Sequence, residues 1–322
     1  MTSRRNFLIG LAASMLSASA LAQGYPNKPI RLVVPYAAGG VSDIMGRALA
    51  QKLGELIGQP MIVENRAGAA GTIGSAAVAK SPPDGYTLLL GSSGTITAGP
   101  AVFKSPPYDP LRDFVAVGGI QSVPIVLTAA PKTPVSTYAE FVSLANSKKG
   151  QLSIASAGSG SSNHLAIELL MRMADLKLLH VPYKGSGPAI IDLLGSQVES
   201  MMDQLTASIG HIREGRIKPL AISSRSRSPL LPNVPTLDEL GVKGYEASTF
   251  TGLFAPSAIP KPLLDKLGGA LRKALANETV RERYRGMGVE IIDMTQSEFD
   301  GYVRADFEKW RRVAREGSIV VE

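Results

Sequence analysis

Cysteine is absent from the 322 residues of this sequence, and histidine is almost absent. The lack of cysteine excludes disulfides, iron–sulfur clusters, a cysteine nucleophile and an acylated lipoprotein cysteine. The three histidines are His164, His180 and His211, too few for us to expect a zinc centre built from nitrogen and sulfur ligands. The composition of 44% apolar and 19% charged residues can bury a sizeable core and excludes general disorder.

A long apolar run occurs only at the amino terminus. There, Arg4 and Arg5 precede an uncharged run that ends in Ala20-Leu21-Ala22, which fits the small-x-small pattern of a cleavage site. We therefore expect residues 1–22 to be a cleaved export signal and the mature chain to begin near Gln23 in the periplasm. The paired arginines and the residues after them resemble a twin-arginine signal, and an ordinary secretory signal is the alternative.

Basic residues outnumber acidic ones by 34 to 27, which gives a formal net charge of +7. The surplus is scattered, apart from Arg225, Arg227 and a cluster in the last predicted helix. The aromatic residues of that helix, including Trp310, fall on an apolar stripe and are expected to pack inside. Nucleic-acid binding needs a basic face with accessible aromatics, so we expect no nucleic-acid partner. A modest positive field would still attract anionic solutes.

After the amino-terminal segment, short apolar runs alternate with amphipathic stretches, a rhythm typical of an α/β fold. Strands are predicted at Ile30–Pro35, Met61–Glu64, Thr87–Gly91, Phe114–Gln121, Ile125–Ala129, Leu152–Ala155, Leu178–Val181, Val198–Met202 and Lys218–Ile222. Helices are predicted between most of these strands, and the C-terminal part is mostly helical. The pattern indicates two α/β units, each with a mostly parallel sheet, and a cleft between them. Ligands of open α/β sheets bind beyond the carboxyl ends of the strands.

Four polar or glycine-rich turns directly follow predicted strands. They span Pro35–Asp43, Gly91–Thr95, Ala155–His164 and Pro182–Pro188. Glycines let backbone N–H groups approach a ligand, and helix N-termini favour negative charge. Because the remaining donors are mostly hydroxyls, the turns together describe a pocket for a small carboxylate. For any single turn the alternative is structural, since Ser42, Asp43 and Ser162 are also ordinary helix caps.

Sequence motifs of enzymes are missing. No G-x-G-x-x-G follows a strand, and there is neither a Walker A sequence nor a G-x-S-x-G elbow. His164 begins a predicted helix and is expected to cap it or to hydrogen-bond in the pocket rather than to act as a base. Asp203 follows a predicted strand, where it either faces a ligand or caps the next helix. An enzyme on the same scaffold is the runner-up function, with Lys184 as its candidate for a covalent cofactor.

Seven segments of the chain resemble the Bug-type extracytoplasmic solute receptors, the substrate-binding components of tripartite tricarboxylate transporters. They are Tyr25–Ile30, Pro35–Gly40, Glu64–Gly71, Pro82–Leu88, Ser161–Leu165, His180–Gly185 and Gly252–Pro256. The resemblance implies a two-lobed Venus-flytrap fold that closes on a small organic anion, typically a carboxylate. It also implies delivery to a membrane permease and no chemistry on the ligand. A sensor that signals without transport is a further alternative.

The same resemblance assigns ligand-binding residues in both lobes. In the first lobe they are Tyr36, Ala38, Gly39, Gly40, Ser42, Asp43, Ser92, Gly94 and Thr95. In the second lobe they are Ser156, Gly158, Ser161, Ser162, His164, Tyr183, Lys184 and Asp203. The chain has Met202-Asp203-Gln204 where the family often has Phe-Asp-Asn, and Thr251 where an aromatic residue is common. These departures alter the pocket, so no ligand can be copied from a relative.

The implied fold requires two chain crossings between the lobes. We expect them near Val102–Pro107 and Ser223–Ser228. Lobe 1 then comprises residues 23–102 plus 228–322, and lobe 2 comprises residues 103–227. We expect a monomer without a cofactor or a metal ion.

Overall fold

The computed structural model describes residues 24–39, 41–286 and 289–320. The expected export signal and Gly40 lie outside the described residues. The strands are β1 (Ile30–Val34), β2 (Met61–Asn65), β3 (Thr87–Ser92), β4 (Phe114–Val123), β5 (Ile125–Ala129), β6 (Ser153–Ser156), β7 (Leu179–Pro182), β8 (Ser200–Gln204), β9 (Lys218–Ile222), β10 (Thr249–Pro256) and β11 (Glu290–Ile291). Every strand predicted from the sequence has an observed counterpart, whereas β10 and β11 were not predicted.

The helices lie between and after these strands, as the alternating pattern predicted. Numbered in chain order, they are α1 (Val41–Ile57), α2 (Thr72–Ala79), α3 (Ser93–Ile96), α4 (Ala98–Val102), α5 (Pro110–Asp113), α6 (Tyr138–Ser147), α7 (Ser162–Met173), α8 (Ser186–Leu194), α9 (Leu205–Arg213), α10 (Lys261–Leu275), α11 (Glu278–Gly286) and α12 (Gln296–Glu316), with a 3₁₀ turn at Ala69–Gly71.

Within the described ranges the strands form two separate sheets. The first has six strands in the order β11-β4-β10-β3-β1-β2, and the second has five in the order β7-β6-β8-β5-β9. In the first sheet β1, β2, β3 and β4 share one direction, and β10 and β11 run against them. In the second sheet only β5 runs against its neighbours. Two sheets with flanking helices confirm the predicted α/β class and the two-lobed fold. Both sheets are mixed rather than mostly parallel, because β10 and β5 pair antiparallel with both of their neighbours.

The chain passes from the first sheet to the second across one residue, Pro124. β4 ends at Val123 in the first sheet and β5 begins at Ile125 in the second. Proline has no N–H and cannot continue a strand ladder, which suits it to this break. The pairing of β4 with β10 places residues 114–123 in the first sheet, although the expected boundaries assigned them to lobe 2. The boundary was expected at a proline cluster that in fact leads into α5.

The return crossing also lies later than expected, because residues 223–248 stay with the second lobe. Leu237 and Tyr245 are buried in the same cluster as the second sheet, and the Tyr245 hydroxyl donates to the Ala166 carbonyl at 2.7 Å. Ile222 forms a further bridge with Thr236. Beyond these pairings, the limits of the two lobes stay a prediction.

The last helix, α12, connects the cores of the two lobes. Phe299 and Val303 pack in a cluster with strands of the first sheet, whereas Trp310 packs in the cluster of the second. Trp310 is 1% exposed, which confirms it as a packing residue, and its indole N–H donates to Asp306 Oδ2 at 3.0 Å. Residues 228–322 were all expected in lobe 1, and α10 does pack in the core of the first sheet, but only the first part of α12 does so.

Candidate functional site

The carboxyl ends of the strands in both sheets meet at the crossing between the lobes. β1, β2, β3 and β4 all end at one edge of the first sheet, where Val123 pairs with Thr249. β6, β7, β8 and β9 end at one edge of the second sheet, where Ile125 pairs with Gln204. Because only Pro124 separates β4 from β5, these two edges are adjacent. The four turns singled out in the sequence all leave these edges, so the fold brings the predicted site residues to the cleft region.

In the first lobe, Tyr36 links the turn after β1 to the turn after β3. Its hydroxyl lies 2.6 Å from Ser92 Oγ. Burial raises the pKa of Tyr36, so this hydroxyl stays a neutral group. A Cβ atom placed on Gly94 would lie 3.4 Å from the same hydroxyl, so a residue without a side chain keeps the surface beside Tyr36 open.

Asp43 anchors the turn after β1 rather than offering a free carboxylate. Its Oδ2 accepts from the Gly39 N–H at 2.9 Å and from Arg47 Nε at 3.0 Å, and its Oδ1 accepts from Asn65 Nδ2 at 3.0 Å. Asn65 also donates to the Tyr36 carbonyl at 3.1 Å. These donors, led by Arg47, lower the pKa of Asp43 to about 2. Sequence reasoning missed Arg47 and Asn65, although the i,i+4 spacing from Asp43 was a visible clue to Arg47.

The turn after β3 is held both by a bond within the turn and by a bond from β10. The Ser92 N–H donates to Thr95 Oγ1 at 3.0 Å, and Ser93 Oγ accepts from the Phe250 N–H at 2.8 Å. Thr95 is fully buried, so its side chain supports the turn from inside. By contrast, Ala38 and Gly39 are exposed at the sheet edge and Ser42 is half-buried.

In the second lobe, the turn after β6 is held by its own serines. Ser156 Oγ accepts from the Gly158 N–H at 3.1 Å, and Ser161 Oγ donates to the Gly158 carbonyl at 2.7 Å. Ser161 also caps α7, because it accepts the His164 N–H at 3.2 Å, and Ser162 begins the helix. Gly158 has φ of 138°, and a Cβ there would lie 2.9 Å from the Tyr183 carbonyl oxygen, so glycine is required.

The stacked rings of two histidines support the turn after β6. The rings of His164 and His180 lie 4.0 Å apart at an interplanar angle of 6°. His164 Nδ1 accepts from the Gly160 N–H at 3.1 Å, and His180 Nε2 lies 2.7 Å from Ser156 Oγ. Burial, and then His164, lower the pKa of His180 to about 4, so its ring is neutral at physiological pH. Sequence reasoning did not include His180 among the site residues, although His180–Gly185 was one of the segments that resemble the receptor family.

The turn after β7 presents one cation. The Tyr183 hydroxyl donates to Asp192 Oδ2 at 2.7 Å and is thereby tied to its own lobe. Lys184 is exposed, and within the part of the chain that the structure describes no acidic side chain pairs with it. Asp203 is fully buried at the end of β8 and contacts the starts of α7 and α8 through Asn163 and Ser186.

A separate cavity of about 560 Å³ lies on the first lobe, away from these turns. It lies between α10 and the start of α12 and is lined in part by Gly118, Leu264, Arg272 and Gln296. The predicted ligand-binding residues do not line it.

The described residues contain neither a candidate metal site nor a candidate membrane-spanning helix. No group of three or more histidine, aspartate or glutamate side chains there could hold a metal ion. None of the helices in the described ranges combines the length and apolar character needed to cross a membrane.

Two α/β lobes joined at adjacent carboxyl edges, with turns of neutral donors at those edges, define a two-lobed solute-binding receptor. Residues 45–319 match the family described as "Tripartite tricarboxylate transporter family receptor". The chain belongs to this family, which confirms the resemblance found in the sequence.

Several relatives match over nearly the whole chain. The protein BugT of Bordetella pertussis is 36% identical over 309 residues, which cover 96% of this chain and 95% of BugT. The structure of R. palustris Rpa4515 with adipate has 33% identity and a TM-score of 0.79, covering 92% of this chain and 99% of that one. MatC from Rhodopseudomonas palustris with bound malate has 34% identity and a TM-score of 0.76, covering 90% and 99%.

Proposed function

We propose that this chain is a periplasmic receptor that captures a small organic carboxylate between its lobes and delivers it to a membrane permease. The observation that carries the proposal is the set of neutral donor turns at the two adjacent sheet edges, in a chain of this receptor family. Two structural relatives, at 33% and 34% identity, were solved with the dicarboxylates adipate and malate. Their bound ligands support a carboxylate as the solute class.

The electrostatics of the two edges favour an anion held by neutral groups. The first turn of α7 directs its N–H groups and partial positive charge towards the cleft edge, which is worth roughly 0.3–1 kcal/mol for an anion near the surface. Asp43 is already neutralised by Arg47, and Asp203 is fully buried, so neither acid presents an open carboxylate to the ligand. Lys184 adds one exposed positive charge at the second-lobe edge. These groups together favour a ligand with negative charge.

The proposal includes no chemistry on the ligand. The imidazole nitrogens nearest the turns are occupied, because His164 Nδ1 accepts from Gly160 and His180 Nε2 bonds Ser156. These bonds hold the turn in place and leave neither atom aimed at a bound molecule as a general base. The family is one of receptors, which supports the same conclusion.

The route to the periplasm is part of the proposal and rests on the sequence alone. Arg4 and Arg5 head an apolar segment with a cleavage motif, so we propose export through the twin-arginine pathway and cleavage after Ala22. We further propose that the mature receptor is a monomer, which light scattering coupled to size-exclusion chromatography will test.

A thermal-shift screen of protein purified from the periplasm tests the ligand class. The panel contains dicarboxylates, tricarboxylates, amino acids and aromatic acids, with adipamide as the uncharged counterpart of adipate. A ligand at about 100 times its Kd adds about 2.7 kcal/mol of stability. We expect at least one carboxylate to raise the melting temperature and adipamide to have no effect. A panel in which no carboxylate stabilises the protein, or in which adipamide matches adipate, contradicts the proposal.

A further inference from the structure

The carboxyl group of Asp203 is fully buried and is bonded on one oxygen only. Its Oδ1 accepts from Asn163 Nδ2 at 2.5 Å, from Ser186 Oγ at 2.9 Å and from the Gln204 N–H at 2.8 Å. Its Oδ2 has no hydrogen-bond partner among the described residues and no solvent-accessible surface. A ligand in the cleft therefore cannot reach either oxygen in this conformation. The sequence expectation that Asp203 faces the ligand has no support in this geometry.

The two side-chain donors belong to different helices. Asn163 lies in the first turn of α7, which follows β6, and Ser186 is the first residue of α8, which follows β7. β8 lies beside β6 in the sheet, so Asp203 at its end reaches the N-termini of both helices. The N-cap of α8 is Gly185, with φ of 106° and no side chain to cap the helix. The bond to Asp203 therefore restrains the first residue of α8, together with the bond from the Gly185 N–H to the Ala157 carbonyl at 3.0 Å.

We propose that Asp203 is a positioning residue, which sets the spacing between the first turns of α7 and α8 and so preorganises the second-lobe half of the carboxylate site. This inference rests on the proposed function. A carboxylate bound by donors from two turns loses affinity when those turns move independently, because ordering them must then be part of binding. Burying a carboxyl group costs free energy unless hydrogen bonds compensate. The three bonds to Oδ1 provide this compensation, and two of them tie the carboxyl group to α7 and α8.

Asparagine is a close mimic of this group. Burial raises the pKa of Asp203, so its uncharged form is more accessible than that of an exposed aspartate. Asp203→Asn keeps the oxygen that accepts all three bonds, whereas Asp203→Ala removes it. Ser208→Ala is the matched control, since Ser208 is also fully buried in the following helix and its hydroxyl has no partner among the described residues.

The experiment measures calorimetric Kd with adipate and malate as probes, together with amide hydrogen exchange of the unliganded protein. Asp203→Ala should weaken binding about tenfold or more and speed exchange in the first turns of both α7 and α8. Asp203→Asn should recover most of both losses, and Ser208→Ala should behave as wild type. If Asp203→Ala does not fold, Asn163→Ala and Ser186→Ala each remove one of the two side-chain donors to Asp203. Each of these variants should speed exchange in the first turn of its own helix.

Three results would overturn the inference. Asp203→Ala could leave affinity and exchange unchanged, or Asp203→Asn could be as damaging as Asp203→Ala, which would mean that the charge itself contacts the ligand. Asn163→Ala and Ser186→Ala could also leave hydrogen exchange in their helices unaltered. The exchange measurement needs no ligand, so it tests the positioning role even if neither acid binds wild type. Failure of every carboxylate to bind wild type would count against the proposed function alone.

Discussion

The cap of α7 offers a sharp test of the idea that the second-lobe turn holds the ligand. Ser161→Ala removes the acceptor for the His164 N–H and the donor to the Gly158 carbonyl. Loss of an N-cap serine costs about 1 kcal/mol, and loss of a neutral hydrogen bond costs about 0.5–1.5 kcal/mol. We therefore expect the free energy of unfolding to fall by about 1.5–2.5 kcal/mol. The turn from Ser156 to Ser161 should loosen at the same time, which lowers ligand affinity several-fold.

Thr137→Ala provides the matched control. Thr137 caps α6 in the same lobe, with its side chain accepting from the Glu140 N–H, so its loss should cost a similar free energy of unfolding. However, α6 follows β5, which runs against β8, so this cap lies at the opposite edge of the sheet from the cleft. Urea unfolding should show similar destabilisation of the two variants, and calorimetry should show weaker ligand binding only for Ser161→Ala. Ser161→Thr, which keeps the hydroxyl, should restore binding.

The reasoning would be refuted by either of two patterns. Equal losses of affinity in Ser161→Ala and Thr137→Ala would mean that binding follows overall stability rather than the local turn. Unchanged affinity in Ser161→Ala, with the expected loss of stability, would mean that the turn after β6 does not contact the ligand.

Three further predictions concern the first lobe, pH and export. Tyr36→Phe removes the bond to Ser92 and should cost about 0.5–1.5 kcal/mol of stability and weaken ligand binding; calorimetry that finds unchanged affinity would remove Tyr36 from the site. Burial lowers the pKa of His180 from 6.5 to about 4, so the unfolded chain binds more protons between these values and stability should fall as pH drops through this range. His180→Gln should flatten that slope of melting temperature against pH, and an unchanged slope would assign it to other groups. Replacing Arg4 and Arg5 by lysine should block export, whereas normal periplasmic yield would indicate the general secretory route.

Local periodicity was sufficient to predict most of the fold. Parallel strands such as β1 and β6 are continuous apolar runs bounded by turn residues, so their type and place are visible in the sequence. β10 was missed because it does not belong to the strand–helix alternation. It pairs antiparallel with β3 on one side and β4 on the other, and both of these strands lie far before it in the chain. The local sequence pattern cannot show which distant strands a segment will pair with.

Two glycines of the first sheet also have a role that can be seen only in the folded structure. A Cβ atom on Gly252 would lie 2.7 Å from the ring of Phe299, and one on Gly91 would lie 2.6 Å from the ring of Phe254. These glycines leave room for aromatic rings that pack across the sheet face. In the sequence they look like ordinary turn or strand glycines, because the rings that need the space lie far away in the chain.

The sequence predicted that the candidate turns directly follow strands, but it did not predict what individual residues do within these turns. The turns were recognisable because glycine and serine directly follow apolar strands. The roles of Asp43 and Asp203 were not recognisable, since their burial and most of their donors depend on Asn65, Asn163 and Ser186, which only the fold brings to them. The assignment of Gly40 to the ligand site stays a prediction from the sequence, because Gly40 lies outside the described residues.

The most direct test of the central claim is a crystal structure of the periplasmic protein with the carboxylate that stabilises it most. The account predicts ligand density between the two sheet edges, with a carboxylate bonded to the turns that contain Ser92 and Ser161. Density in the separate first-lobe cavity lined by Leu264 and Arg272, with the region between the lobes empty, would contradict the account.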